Sequence, residues 1–150
     1  YGIGKGNYAT ALGKQAYANG KEATALGHWA RAYGDNAIAI GSYAITNTLD
    51  GTGTVSNGVA IGQKARAASD NSVALGQNSL AYIPDSVKTE AYLTNEAFTA
   101  ANGVVSVGNT EYTIGDDTVA ANRRRITNVA GGADDYDAVN VAQLKPCQRS

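Results

Sequence analysis

Residues 71–81 read Asn71-Ser72-Val73-Ala74-Leu75-Gly76-Gln77-Asn78-Ser79-Leu80-Ala81. The tetrad inside this stretch is a β-branched residue, Ala, Leu and Gly. It recurs upstream as Val59-Ala60-Ile61-Gly62, Ile38-Ala39-Ile40-Gly41, Thr24-Ala25-Leu26-Gly27 and Thr10-Ala11-Leu12-Gly13. The five glycines stand 14, 14, 21 and 14 residues apart. Self-similarity at a fixed period marks a stacked architecture, in which each unit buries its apolar face only against its neighbours. The seven extra residues of the long interval fall on residues 46–54, a run of Thr, Asn, Asp and Gly that reads as a loop. Ile3-Gly4, nine residues before Gly13, reads as the end of a sixth, incomplete copy.

Three residues beyond each glycine stands Ala16, Ala30, Ala44, Ala65 or Ser79, and five beyond stands Ala18, Ala32, Thr46, Ala67 or Ala81. Between them the chain varies freely as Tyr17, Arg31, Ile45, Arg66 and Leu80. A period of two on both sides of the glycine predicts two short strands per repeat and no helix. The first strand has dry residues on both faces, whereas the second buries only its small face. With glycine at one bend and Asn36, Asn57 or Asn71 near the other, the units stack as a β-solenoid at roughly 4.8 Å per coil.

Composition agrees. Of 150 residues, 27 are Ala, and Leu, Ile, Val and Phe together supply another 27. So few large apolar residues signal disorder only alongside high net charge, and the net charge is −1. The core is therefore thin and built from small side chains, and the second dry face of the first strand needs a cover, which another copy of the chain supplies. Near-neutral charge gives no footprint for nucleic acid, and no apolar run is long enough for a membrane-spanning helix. The start at Tyr1, with no basic or apolar leader, reads as an excised fragment. The single cysteine, Cys147, excludes an internal disulfide or a cysteine-based zinc site.

Leu12-Gly13-Lys14-Gln15-Ala16-Tyr17 also fits the hexapeptide unit of left-handed β-helix acyltransferases. That fold needs three contiguous hexads per coil, however, and a 14-residue period leaves only two sides; a base would also have to be found in the single His28. Residues 71–81, and the repeat over 1–81 as a whole, more closely resemble the head of YadA-like trimeric autotransporter adhesins. Arg124-Arg125-Ile126-Thr127-Asn128-Val129-Ala130 and Asp137-Ala138-Val139-Asn140-Val141-Ala142-Gln143-Leu144-Lys145 resemble that family's neck, and Val105-Ser106-Val107-Gly108-Asn109 the strand that opens it. The resemblance implies an all-β, left-handed parallel β-roll of 14-residue coils, homotrimeric, whose neck leads into a short C-terminal coiled-coil helix. It also implies a head exposed on the bacterial surface, held in the outer membrane by a C-terminal anchor outside this sequence. Its partners would be host extracellular-matrix proteins or cell receptors, with self-association between bacteria, a contribution to virulence and no cofactor.

The expected divisions are head repeats over 1–81, an inserted connector over 82–103, neck and first stalk turns over 104–145, and a tail over 146–150 that continues no heptad and reads as non-native. Residues 84–98 suit either a short helix or an ordered loop, and residues 109–122 read as a further insertion. Asp137 is a candidate N-cap, with Ala138, Val141 and Leu144 on one helical face and Pro146 as the stop.

No nucleophile–base pair, carboxylate pair or metal cluster stands out, so neither catalytic nor metal residues are expected. His28, Asp116-Asp117 and Asp134-Asp135 read as solvated turn residues, and Gly2-Ile3-Gly4-Lys5-Gly6 as repeat punctuation. Arg124, Arg125, Asp137, Val141 and Leu144 are the expected neck and trimer contacts, the arginines pairing with neck acids of another chain. Tyr, Trp and Arg are enriched at binding hot spots. Tyr17, Trp29, Arg31, Tyr33 and Tyr43, with Tyr8 beside them, are accordingly the candidate ligand-binding residues, and Asp50 in the 46–54 loop is another. The same aromatics could equally stack as cross-coil ladders, which would make this segment a passive spacer.

Overall fold

The computed structural model describes residues 1–84 and 90–148. The repeat folds as β1 (Ile3–Gly4), β2 (Thr10–Leu12), β3 (Tyr17–Ala18), β4 (Thr24–Leu26), β5 (Arg31–Ala32), β6 (Ile38–Ile40), β7 (Ile45–Thr46), β8 (Val59–Ile61), β9 (Arg66–Ala67), β10 (Val73–Leu75) and β11 (Leu80–Ala81). There follow β12 (Val105–Ser106), β13 (Tyr112–Ile114), β14 (Asp117–Val119) and α1 (Val141–Leu144).

Two parallel sheets face each other. The tetrads form one, in the order β12-β10-β8-β6-β4-β2, and the second strands of each repeat form its companion, β1-β3-β5-β7-β9-β11. Register follows the repeat: Thr10, Thr24, Ile38, Val59, Val73 and Val105 make one column, and Ala11, Ala25, Ala39, Ala60, Ala74 and Ser106 the next. The interior is almost wholly alanine. Ala25, Ala39, Ala60 and Ala74 from the tetrad sheet meet Ala18, Ala32, Ala67 and Ala81 from its companion, all without solvent exposure. Alanine loses no rotamer freedom on burial, and its single methyl lets two sheets close over so short a coil. The price is little apolar area per residue, at about 0.8 kcal/mol per buried carbon. A two-sided coil rules out the three-sided acyltransferase helix.

Both bends use left-handed backbone. At the first, Gly13, Gly27, Gly41, Gly62 and Gly76 have φ between 106° and 130°, and a Cβ on Gly27 would lie 2.9 Å from the backbone of Gly41. Two residues on, Gln15, Trp29, Tyr43, Lys64 and Asn78 sit near φ 60°, as do Asn36, Asn57 and Asn71 at the opposite bend. Such a conformation costs a non-glycine residue about 1–2 kcal/mol. Hydrogen bonds between coils offset this: Trp29 N–H donates to the Lys14 carbonyl at 3.0 Å and Tyr43 N–H to His28 at 3.0 Å.

The structure departs from the sequence reading at several points. Ile3-Gly4 is no tetrad ending, since Ile3 pairs with Tyr17 and Gly4 with Ala18 in the companion sheet, where a 14-residue period places them. Val105-Ser106, expected to open the neck, is also the last rung of the tetrad sheet, paired with Val73-Ala74. Residues 109–122 form the β13–β14 hairpin, closed by an Asn109–Asn122 bridge. No helix forms over 90–98. Glu90 and Ala97 bridge across a turn in which Ala91 N–H donates to the Glu96 carbonyl, and a single 3-10 turn follows at Ala100–Asn102. Residues 85–89, the rest of that candidate helix, lie outside the described residues. The N-cap of α1 is Asn140 and not Asp137. Asn140 accepts from Gln143 N–H while the Gln143 side chain returns to Asn140 N–H, a capping box. Pro146 does not stop the chain turning, because a 3-10 segment continues over Lys145–Gln148.

The outward face of the tetrad sheet is aliphatic apart from Thr10 and Thr24, and among the described residues no other strand or helix packs over it. Leu12 is 69% exposed at one end and Leu75 44% at the other. Ile40→Asp is expected to leave the alanine interior intact and to reduce the oligomer to single chains, read by light scattering. Ala39→Leu, which forces a large side chain between the sheets, should instead lower stability by about 1–3 kcal/mol or more, read as a depressed unfolding temperature.

Candidate functional site

The companion sheet carries two outward columns fixed by the repeat. Residues two beyond the glycine (Gln15, Trp29, Tyr43, Lys64, Asn78) project from the left-handed turn. Residues four beyond it (Tyr17, Arg31, Ile45, Arg66, Leu80) lie in parallel register on the strand. The backbone thus stacks side chains that are 14 residues apart in sequence.

On the early coils this face is a continuous aromatic and cationic ladder. Trp29 and Tyr43 stack with centroids 6.0 Å apart and planes 3° from parallel. Arg31 lies over the Trp29 ring at 4.3 Å and over Tyr17 at 5.6 Å, while Tyr17 and Tyr33 pack at 5.9 Å. His28 adds an edge against Tyr43 at 5.5 Å. Tyr17, Trp29, Arg31, Tyr33 and Tyr43 are therefore one cluster. Stacking and cation–π contacts of this kind each contribute about 0.5–1.5 kcal/mol, so the groups hold one another in place, Tyr43 exposed and Tyr17, Trp29, Arg31 and Tyr33 half-buried. Tyr8 stands apart and exposed.

Asp50 is separate from the ladder. Its Oδ1 accepts from Thr48 Oγ1 at 2.7 Å, Thr52 Oγ1 at 2.8 Å and Thr52 N–H at 3.0 Å, an arrangement that shapes the loop. These bonds, led by the Thr52 backbone N–H, lower its pKa to about 2.

Lys64, Arg66 and Tyr112 escaped the sequence reading. The first two occupy the same columns as Trp29 and Arg31, so the period itself marks them. Tyr112 lies in the hairpin, outside any repeat. Arg66 is buried, and desolvation lowers its pKa, opposed by Tyr112 and Asp50; burial likewise raises that of the Tyr112 phenol.

At the neck, Arg124 closes the last coil of its own chain. It donates to the Gln77 carbonyl at 2.8 Å, the Val107 carbonyl at 3.0 Å and Ser79 Oγ at 3.1 Å. Arg125 is exposed. Asp137 accepts from Ala133 and Asp134 N–H groups, which hold its carboxyl below the usual range. Val141 and Leu144 leave α1 69% and 53% exposed. Among the described residues no three His, Cys, Asp or Glu side chains gather as a metal site, and no helix is long and apolar enough to cross a membrane.

A slender parallel β-roll of stacked coils, closed by a neck from which a short helix departs, is the architecture of a repeat-built fibre element. The YadA head domain repeat matches residues 5–27, 18–44 and 56–79, and the coiled stalk of trimeric autotransporter adhesins matches 125–150, a span that includes residues 146–150. The crystal structure of the collagen-binding domain of the Yersinia adhesin YadA is similar at a TM-score of 0.57 and 26% identity, over 97% of this chain and 69% of that one. No curated protein matches. The chain belongs to the YadA-like trimeric autotransporter adhesins.

Because Asp50 is more acidic folded than unfolded, its contribution to loop stability is present above pH 3.8 and is lost as pH falls through about 2. An NMR titration of its carboxyl carbon should show a midpoint near 2, and Asp50→Asn should accelerate exchange of the Thr52 amide.

Proposed function

We propose that this head attaches its bacterium to host extracellular-matrix proteins or cell-surface receptors through the open aromatic ladder, with a secondary role in self-association between cells. The single observation behind this reading is the contiguity of Tyr17, Trp29, Arg31, Tyr33 and Tyr43 on the companion sheet. These are residue types that dominate binding interfaces, held rigid by mutual stacking. The tetrad sheet, with its aliphatic outward face, turns toward the trimer axis, so three ladders face outward together. Weak sites repeated on three chains gain about 10²–10⁴ in avidity. The related Yersinia domain is described as collagen-binding, which makes collagen the first ligand to test here. The stalk continues toward an outer-membrane anchor, residues 82–103 act as a connector, and attachment involves no catalysis.

The same ring-on-ring contacts would also suit a passive spacer whose aromatics serve only to stiffen the roll, and a double substitution separates the two. Gln15 and Asn78 already occupy the column of Trp29 and Tyr43, so Trp29→Gln with Tyr43→Asn should fold and assemble. Binding to immobilised collagen or to other matrix proteins is expected to fall at least tenfold. Undiminished binding by an intact trimer would establish the spacer.

A further inference from the structure

The outward columns continue past the ladder to Lys64 and Arg66, and over them folds the β13–β14 hairpin. Between hairpin and roll lies a cleft of about 600 Å³, lined among others by Tyr43, Ile45, Lys64, Arg66, Tyr112 and Asp117. That is the size of a pocket for a small ligand. It opens on the companion face and so stays accessible when the tetrad sheet is covered.

Arg66 is the anomaly in this cleft. It is only 8% exposed. One Nη donates to the Thr48 carbonyl at 2.7 Å, and Nε has no hydrogen-bond partner among the described residues. Asp50, whose charge reaches it, already accepts from Thr48 and Thr52. Withdrawing a guanidinium from water is unfavourable unless an anion completes it. Nor does the roll require a charge there, because the column neighbours of Arg66 are Ile45 and Leu80. Buried, incompletely partnered and unnecessary to the frame, this arginine fits a ligand better than it fits the fold.

We propose that the cleft binds an acidic saccharide unit, its carboxylate or sulfate oxygens held by Arg66 and Lys64 and its ring packed against Tyr43 and Tyr112. The planar guanidinium fork matches an oxyanion, aromatic walls suit the apolar face of a sugar ring, and Ile45, Ile114 and Val119 complete an apolar lining. Asp117 in the same cleft favours a ligand with one anionic group among hydroxyls over a dense polyanion. The cleft shares Tyr43 with the ladder, but its charge recognition rests on Lys64 and Arg66, which the ladder does not use.

The test is calorimetric titration of the intact trimer with glucuronate, N-acetylglucosamine 6-sulfate, neutral N-acetylglucosamine and an N-acetylglutamyl amide. One or both acidic sugars should bind at least tenfold more tightly than the neutral sugar, the preference between them distinguishing carboxylate from sulfate. Arg66→Leu, which installs the residue found at position 80, should abolish that preference. Lys64→Gln, at an exposed turn where Gln15 sits in the first coil, should weaken binding severalfold without changing the unfolding temperature or mass, and it serves as the second variant should Arg66→Leu fail to fold. Equal binding of the neutral sugar, no binding of either acid, or binding indifferent to both substitutions would overturn the site. Tighter binding of the glutamyl amide would overturn the saccharide assignment.

Discussion

The structure depends on a hydrogen-bonded backbone ladder that returns each coil onto the one before it, with nothing larger than a methyl group inside for most of its length. Parallel pairing sets the coil spacing, and the interior columns set the distance between the sheets. Each left-handed bend is locally unfavourable and is held by bonds such as Lys64 N–H to the Ser42 carbonyl at 2.9 Å and Asn78 N–H to Gln63 at 2.9 Å. No bend is thus stable without a neighbouring coil. Cooperation of this nearest-neighbour kind makes the fold a fibre element and not a globule.

This frame leaves the outward positions unconstrained. Inside, the columns carry small residues, Ala, Ser, Thr or Gly, with Val55 buried where the long interval rejoins the roll; outside, the same backbone carries Tyr17, Arg31, Ile45, Arg66 and Leu80 in succession. The two outward faces then diverge. The tetrad sheet keeps aliphatic columns, as a surface covered by sister chains requires, while its companion carries aromatics and cations. In the latter, the first coils are open and the later ones lie under the hairpin, so one periodic surface is divided into an exposed ladder and a sheltered cleft.

Most of the roll was legible in the sequence because the tetrad states strand, bend and inward face at once, and the expected cluster of Tyr17, Trp29, Arg31, Tyr33 and Tyr43 follows from 14-residue stacking. What escaped did so for identifiable reasons. Val105-Ser106-Val107-Gly108 is a tetrad with Ser in place of Ala, hidden by the long interval before it. The phase of Ile3-Gly4 was obscured because a glycine stands where the companion strand elsewhere has Ala or Thr. Asp137 looked like a helix cap because capping residues are interchangeable in sequence, and only the reciprocal bonds of Asn140 and Gln143 distinguish them. The cleft was invisible because Tyr112 belongs to an insertion whose folding back no local pattern specifies.

Both long interruptions of the repeat leave the roll at the same phase, immediately after a companion strand: one after Thr46, the other after Ala81. Each must return the chain to its column, and it does so, with Val59 opposite Ile38 and Val105 opposite Val73. Between stacked coils the glycine bend offers no such freedom, since its backbone lies against the next coil, whereas the other corner lets the chain depart and re-enter without breaking either ladder. The hairpin leaves at a glycine only after Gly108, where β12 is the last rung of the tetrad sheet. The loop around Asp50 and the start of the 82–103 segment consequently share one flank, and the hairpin folds back to meet them, with Leu49, Tyr82, Ile83 and Thr113 lining a shared hollow. Length can vary at that corner while the stacked frame stays constant, which places diversity of shape beside the exposed columns that meet a partner.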